Sequence, residues 1–264
     1  MPSPDSKKNI FTEPPKFDYD ESAPIIDAEE FFKVIRSRRS VRVYSNDPVP
    51  ESVMRRALDA ALLAPNSSNL QCWEFYWVKN PEKKAKLVEA CLSQSAAKTA
   101  QELVVAVART STWNWARKEM LKLFDSNEKG GSKVPAPARA YYEKLVPYVY
   151  CQGPLGIWGL VKKGIVWSVG WFRVIPREPT SKTHLKIWAV KTTALACENL
   201  MLALRAQGFD SCPMEGYDSA RVRRILNLSC DAVPVMVISA GKRAKGGIYG
   251  PQIRFPSEHF IKEV

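Results

Sequence analysis

Three arginines and a serine lie close together in the string Arg38-Arg39-Ser40-Val41-Arg42. A guanidinium group offers a planar pair of N–H donors that matches two oxygens of a phosphate, and a serine hydroxyl adds a neutral donor. Taken alone, a basic cluster of this kind usually lies in solvent at the end of a helix. Phosphate binding is therefore a hypothesis that needs a second, independent signal.

A polar loop over residues 64–73, with the sequence Ala-Pro-Asn-Ser-Ser-Asn-Leu-Gln-Cys-Trp, supplies that signal. Its amides and hydroxyls offer donors and acceptors that suit the polar edge of a heterocyclic ring. Asn69 and Gln71 could equally serve to order the loop itself. A cationic cluster and a polar loop on either side of one helix suit a phosphorylated, ring-bearing cofactor.

Two further motifs follow in the same chain: Pro213-Met214-Glu215-Gly216-Tyr217-Asp218, and Gly241 with Arg254. In this order, and together with the first two motifs, they give the chain a resemblance to the FMN-dependent nitroreductase family over roughly residues 29–256, apart from a long segment in the middle. The resemblance implies an α+β fold of three α/β/α layers around a central, mostly antiparallel sheet, with FMN at the interface of a homodimer.

The resemblance also implies roles for individual residues of the cationic cluster. Arg38 and Ser40 match positions that contact the phosphate or ribityl end of FMN, and Arg254 closes the other side. Arg39 contributes through its backbone or by pairing. Arg42 matches a cation near the pyrimidine edge of the flavin, where a positive charge stabilises the reduced ring.

The polar loop matches a segment that, in the family, reaches the flavin of the other subunit. Pro65, Asn66 and Ser67 carry this match, and Asn69 is assigned to the ring edge. A shared site implies a symmetric homodimer with two equivalent active sites. Cys72 departs from the family pattern, because it stands where a proline is common, and this change puts the rigidity of the loop in doubt.

The third motif matches a turn whose backbone N–H groups face the flavin ring. Met214, Glu215 and Gly216 form this turn, in which glycine permits a close backbone approach. The carboxylate of Glu215 is expected to be structural. Gln94 lies in a helical region where the family often places an amide that reaches the flavin.

These residues predict an oxidoreductase in which FMN carries the redox step and NADH or NADPH is the reductant. Nitroaromatics, quinones or similar small molecules are the expected electron acceptors, reduced in a ping-pong cycle. Specialised flavin chemistry, such as reductive dehalogenation, is the alternative. A non-enzymatic basic protein that binds anions or lipids is the third reading, and nucleic acid is disfavoured because no nucleic-acid motif is present.

Composition limits the other possibilities. The 264 residues, 45% of them hydrophobic, are enough for one large domain, which we expect over residues 29–264. Residues 1–28 are rich in proline and charge and are interpreted as an extended arm. Six cysteines without a C-x-x-C pair, and two histidines, argue against a zinc site or a disulfide framework and favour a cytoplasmic setting.

Periodicity predicts alternating helices and strands. Helices are expected over residues 29–38, 50–64, 81–92, 184–207 and 218–228, and strands over 73–79, 103–109 and 233–239. The helix over 184–207 is expected to be central and largely buried.

A basic, tryptophan-rich insert over residues 111–190 is the part that the motifs do not explain. It holds 13 Lys or Arg against 5 Asp or Glu, a local net charge of +8 out of +12, and six of the eight tryptophans. Residues 153–175 are apolar, but Lys162, Lys163 and Arg173 interrupt them, so the segment does not cross a membrane. A lid, a dimer contact and peripheral contact with an anionic membrane all remain open.

Overall fold

The computed structural model describes residues 21–264. Most of the arm expected over residues 1–28 therefore lies outside the described residues. Residues 21–27 are exposed and form neither helix nor strand. The first helix begins where Asp27 accepts hydrogen bonds from the backbone N–H groups of Glu29 and Glu30, at 2.9 and 3.2 Å.

Helices and strands alternate along this part of the chain. The helices are α1 (Ala28–Ser37), α2 (Glu51–Leu62), α3 (Pro81–Ala90), α4 (Ser95–Lys98), α5 (Trp113–Lys129), α6 (Ala136–Ala140), α7 (Val146–Tyr150), α8 (Ile157–Val169), α9 (Lys182–Ala206) and α10 (Ser219–Ile225). The strands are β1 (Trp73–Trp77), β2 (Glu102–Arg109), β3 (Asp210–Met214) and β4 (Ala232–Gly241). All of the expected helices and strands are present, with ends shifted by up to three residues.

The four strands form one sheet in the order β1-β2-β4-β3, and each neighbouring pair is antiparallel. Periodicity did not predict β3, because it is only five residues long and contains Pro213. A proline removes one ladder donor and is tolerated at the edge of a sheet. There β3 pairs with β4 alone, from Asp210 opposite Gly241 to Met214 opposite Val237.

Helices cover both faces of the sheet. Alternate residues of β2 point to opposite sides, so that Leu103 and Val105 join a core cluster with residues of α3, α4 and α10. Val104 and Ala106 join a second cluster with residues of α2 and α9. The expected three α/β/α layers around an antiparallel sheet are therefore confirmed.

The 25-residue helix α9 lies at the centre of one layer. Among residues 21–264 it is the one helix long and apolar enough to span a membrane by length and composition, yet nine of its residues are buried in the protein. It packs against α2 and the sheet, as a core helix does. The expected burial holds for that side only, because Ile187 and Leu195 on the other side are about half exposed (47% and 50%).

The insert forms helices α5 to α8. Its last residues, 182–190, are the first turns of α9 and belong to the helical layer. Ala116, Val146 and Tyr150 of the insert pack with Leu70 and Leu185 in a small cluster of their own. The insert is thus anchored on the loop that precedes β1 and on the start of α9.

Candidate functional site

A polar cavity of about 230 Å³ lies beside the start of β3. Arg38, Arg39, Ser40 and Arg42 line one side of it, and residues 248–254 line the other. The structure therefore brings the cationic cluster and Arg254 to one place, although more than 200 residues separate them in the chain. Such a cavity can accept an anionic group.

The cationic cluster follows α1 as an extended segment that runs along β3. Ser40 forms an isolated parallel bridge with Ser211, and the backbone N–H of Val41 donates to the carbonyl oxygen of Ser211 at 3.1 Å. The Val41 side chain is fully buried. Because side chains alternate along an extended segment, Ser40 and Arg42 point to the side opposite Val41, toward the cavity.

The far wall of the cavity approaches this segment through Gly247. The backbone N–H of Arg42 donates to the Gly247 carbonyl oxygen at 2.7 Å, and a Cβ at Gly247 would lie 2.3 Å from the carbonyl oxygen of Val43. Only glycine fits this approach. Arg39 then fastens the wall, since its Nη2 donates to the Gly250 carbonyl oxygen at 2.5 Å.

Arg38 and Ser211 leave donors without partners at this place. The Arg38 side chain is 19% exposed, and its Nε lies 4.0 Å from Glu198 Oε1. Its Nη1 is buried, as is Ser211 Oγ, and neither finds a hydrogen-bond partner within residues 21–264. Buried polar atoms are nearly always hydrogen-bonded. Orphaned donors beside a cationic cavity therefore fit a phosphate, such as that of FMN.

The pKa of the Cys212 thiol depends on the charges in the same region. Burial raises the pKa of this thiol, and the positive charges of Arg42 and Arg38 and a hydrogen bond from Ser40 act in the opposite direction. Arg42 itself is exposed, and its guanidinium carbon lies 5.4 Å from the centre of the Tyr249 ring. The guanidinium of Arg254 is exposed as well, with Nη1 donating to the carbonyl oxygen of Ile253 at 2.8 Å.

Gln94 is joined directly to the turn after β3. Its Nε2 donates to the carbonyl oxygen of Gly216 at 2.7 Å and to that of Cys91 at 3.0 Å. Gln94 stands at the N-cap of α4 and not inside a longer helix. Met214 is buried with its side chain in the core, whereas Glu215 and Gly216 are exposed, so only their backbone and the Glu215 side chain are available to a ligand.

The polar loop before β1 does not line the cavity of its own chain. Asn66 Oδ1 accepts a hydrogen bond from the backbone N–H of Gln71 at 2.8 Å, which closes the loop on itself. Ser68, Asn69 and Gln71 have positive φ angles of 58°, 48° and 44°. Non-glycine residues adopt this conformation at a cost in free energy, which surrounding contacts must offset.

Tyrosines of the insert provide those contacts. Ser68 Oγ lies 2.6 Å from the hydroxyl of Tyr141 and 3.1 Å from that of Tyr150, and Ser67 Oγ lies 3.1 Å from Tyr150. The hydroxyl of Tyr142 donates to the Ser68 carbonyl oxygen at 3.0 Å. We call Tyr141, Tyr142 and Tyr150 the tyrosine clamp. The sequence motifs did not reveal it, since the tyrosines lie more than 70 residues from the serines that they contact.

A larger cavity of about 920 Å³ lies at the opposite end of β4, where the strand begins. Lys182, Lys186 and Asp231 are among the residues that line it. Burial raises the pKa of Asp231, but hydrogen bonds from Arg109, Ser229 and Ser111 outweigh burial and hold this pKa well below its usual range. None of the predicted site residues lines this cavity.

Comparison with known proteins identifies the family. The model of the nitroreductase family matches residues 35–242, which is most of the chain. An NADH dehydrogenase of Thermus thermophilus is 29% identical over 238 residues, which cover 90% of this chain and 96% of the relative. Rat iodotyrosine deiodinase 1 is 35% identical over only 71 residues, 27% of this chain and 25% of the relative.

A solved structure shows the same fold. A nitroreductase from Exiguobacterium sibiricum, in complex with FMN, superposes with a TM-score of 0.64 at 24% identity and covers 92% of this chain and 100% of its own. The match of the family model spans the cationic cluster, the polar loop, the turn after β3 and the end of β4. The chain therefore belongs to the nitroreductase family.

Proposed function

We propose that this protein is an FMN-dependent oxidoreductase that oxidises NADH or NADPH and reduces a small-molecule acceptor. The observation that carries the proposal is the cavity beside β3, which Arg38 lines and where the buried Nη1 of Arg38 has no partner within the described residues. Membership of the nitroreductase family and the FMN found in a structural relative support it.

The residues that line the cavity have different roles in binding the cofactor. Arg38 and Ser40 bind the phosphate end, with Arg254 approaching from the opposite wall, and Arg39 holds that wall in place through Gly250. When bound, FMN supplies the redox chemistry by accepting a hydride equivalent and passing electrons to the acceptor. Arg42 places its charge where it favours the reduced, more negative form.

The remaining groups position a ring without using acids or bases. The backbone at Glu215 and Gly216 is exposed and offers N–H donors, and the Gln94 side chain fixes the turn through the Gly216 carbonyl. Backbone donors hold a ring edge in place and do not titrate near neutral pH. We therefore assign no catalytic acid or base among these residues.

We further infer that the active site is shared in a homodimer. Pro65, Asn66, Ser67 and Asn69 do not line the cavity of their own chain, so they serve the site of a second copy. The exposed apolar sides of three helices support this inference, because a symmetric dimer would cover them. These side chains are Phe31, Phe32 and Ile35 of α1, Leu62 and Leu63 at the end of α2, and Ile187 and Leu195 of α9.

Nitroaromatics and quinones are the acceptors we propose. Reductive dehalogenation is the second candidate, and the short match to iodotyrosine deiodinase 1 favours it over other specialised chemistry. A non-enzymatic, basic lipid-binding role is the third. A reducing cytoplasm suits the chain, because all six cysteines are free.

Titration with FMN and with riboflavin, which lacks the phosphate, tests the proposal. The wild-type protein should bind FMN and turn over NADH or NADPH. Arg38→Ala should weaken FMN binding by about 1.5–3 kcal/mol, the value of a charge-assisted hydrogen bond, and should leave riboflavin binding unchanged. Arg36→Ala, which removes an exposed arginine of α1, is the matched control. A protein that cannot be loaded with FMN would contradict both enzyme hypotheses.

A further inference from the structure

Helix α8 and the residues that follow it present a large apolar surface to solvent. Six large apolar side chains between residues 155 and 174 are each more than 60% exposed, among them Phe172 at 88%. They are Leu155, Leu160, Trp167, Trp171, Phe172 and Val174. We call this set the α8 patch. Exposed apolar surfaces of this kind mark interaction sites.

The α8 patch is held in a fixed orientation from behind. Lys162, on the opposite side of α8, is buried, and its Nζ donates to the carbonyl oxygens of Val149 at 2.6 Å and Pro179 at 3.2 Å. Arg177 closes the C-terminal end of the helix through the carbonyl oxygens of Val166 and Gly170, at 3.2 and 2.9 Å. The helix is thus fastened to the insert and cannot turn its apolar side inward.

Burial of Lys162 corrects an expectation from the sequence. Lys162 and Lys163 are adjacent, but only Lys163 is exposed, and Arg173 is exposed beside the aromatic residues. Burial lowers the pKa of Lys162, and its hydrogen bonds go to the protein. The charge available at the α8 patch therefore comes from Lys163 and Arg173.

Positive charge predominates along the chain around the α8 patch, although Glu143 and Glu178 flank the segment. Between residues 144 and 177 the chain has five lysines or arginines and no aspartate or glutamate. A second copy docked on the same patch by two-fold symmetry would bring like charges together, which opposes association. A partner that combines an apolar interior with a negatively charged surface fits the α8 patch better.

An anionic lipid bilayer has both properties. The 13 residues of α8 extend about 20 Å at 1.5 Å per residue, less than the roughly 30 Å thickness of a hydrocarbon core. The helix therefore suits the plane of the interface and not a crossing. Tryptophan rings prefer the headgroup region of a bilayer. The α8 patch has two such rings, Trp167 and Trp171, in an edge-to-face pair.

We propose that the α8 patch is a docking surface for an anionic membrane, on which α8 lies parallel to the bilayer and Lys163 and Arg173 contact lipid headgroups. This inference goes beyond the proposed oxidoreductase activity and does not depend on it. It assigns the α8 patch to localisation of the protein and not to the chemistry of the cofactor cavity.

Flotation of the purified, FMN-loaded protein with vesicles tests the proposal. Vesicles of phosphatidylcholine with phosphatidylglycerol should carry the wild-type protein upward, and added salt should release it. Lys163→Gln with Arg173→Gln should weaken partitioning on the order of thirtyfold, as expected for two cations near an anionic surface. Lys83→Gln with Lys86→Gln, exposed lysines of α3, is the matched control and should partition like the wild type.

Vesicles with brominated acyl chains measure the depth of the rings. Emission of the wild-type protein should shift to the blue and be quenched, and Trp167→Ala with Trp171→Ala should lose most of the quenching while keeping its FMN. Equal flotation of the Lys163/Arg173 variant and the control would overturn the proposal. The proposal would also be overturned if the wild-type protein stays with the lipid-free fractions and the Trp167→Ala/Trp171→Ala variant has a different oligomeric state. A second copy of the chain would then cover the α8 patch.

Discussion

At the scale of single residues, Arg42 differs from Arg38 in what surrounds its charge. Arg38 has a buried nitrogen at the cavity wall, whereas the guanidinium of Arg42 is exposed and lies over the ring of Tyr249. An arginine with a buried, unpaired donor suits a permanent charge such as phosphate. An exposed arginine held over an aromatic ring is better placed to respond to a charge that appears only during the reaction.

Arg42→Ala should lower the reduction potential of bound FMN, because it removes a positive charge that favours the reduced form. We expect a shift on the order of 20 mV, which corresponds to about 1 kcal/mol for a two-electron couple. FMN affinity should change less than in Arg38→Ala. Arg42→Lys keeps the charge and should restore most of the potential. Spectroelectrochemical titration measures the shift, and an unaltered potential in Arg42→Ala would remove this role.

Asp231 connects the ends of two central strands. It accepts hydrogen bonds from Arg109 Nε at 3.1 Å and from Ser111 Oγ and Ser229 Oγ, both at 2.7 Å, and Arg109 also pairs with Glu74. Although burial acts to raise it, the pKa of Asp231 is lowered in the folded protein. Its contribution to stability is therefore complete above the unfolded pKa of about 4 and is lost as the pH falls toward the lower folded pKa.

Asp231→Asn should reduce the free energy of unfolding at neutral pH by about 1.5–3 kcal/mol, because it removes a charged acceptor from this cluster. The difference from the wild type should shrink as the pH falls below about 4, because the unfolded wild type then takes up a proton at Asp231 that the folded protein binds only at lower pH. Urea denaturation at several pH values and fixed protein concentration measures it. Asp59→Asn, at an exposed position of α2, is the control; a difference that persists unchanged in acid would show that the charge is not responsible.

At the scale of elements, two loops are held by contacts from distant parts of the chain. The wall of the cavity over residues 248–254 depends on the glycine contact at Gly247 and on Arg39. The polar loop before β1 depends on the tyrosine clamp of the insert. In the proposed dimer that loop serves the other subunit, so the insert would influence the partner's site through the clamp.

Gly247→Ala should destabilise the protein by about 1–3 kcal/mol, since the new Cβ would overlap the Val43 carbonyl oxygen and force the backbone apart. FMN binding should weaken with it, because the far wall moves away from Arg42. At Gly250 an added Cβ would meet nothing within 4 Å, so Gly250→Ala is the matched control and should change stability by less than about 0.5 kcal/mol. If both variants behave alike in urea denaturation, the close approach at Gly247 is not what holds the wall.

At the scale of the whole molecule, the homodimer hypothesis connects two features. A second copy would cover the exposed apolar sides of α1, α2 and α9, and its polar loop would complete the cavity beside β3. If the polar loop of each copy completes the site of the other, assembly and FMN binding must be linked. The α8 patch consists of different residues, on α8 and the segments that flank it.

Leu195→Glu should break the dimer, because it places a charge on the exposed apolar side of α9. Loss of the partner's loop should then reduce FMN affinity by at least tenfold, or about 1.4 kcal/mol. Lys86→Gln on α3, which lowers the net charge by the same single unit at an exposed position, is the control. Sedimentation equilibrium with flavin absorbance measures mass and occupancy together, and a monomer with full flavin occupancy would contradict the shared site.

The sequence by itself determined most of the helices and strands and the cofactor motifs. Buried strands and amphipathic helices impose periods of 2 and 3.6 residues on apolar positions, so β2, β4 and α9 are visible in the chain. A phosphate site requires cations and hydroxyls close together, so the cluster from Arg38 to Arg42 is visible as well. These features depend on neighbours in sequence.

Only the tertiary structure decided the features that depend on distant residues. The edge strand β3 exists because β4 lies beside it, and Gly247 has its role because Val43 approaches it. Of two adjacent lysines, Lys162 is buried and Lys163 is exposed, because the carbonyl groups of Val149 and Pro179 lie on one side of α8 only. A buried donor needs an acceptor within hydrogen-bond distance, and the positions of such acceptors are a property of the folded chain.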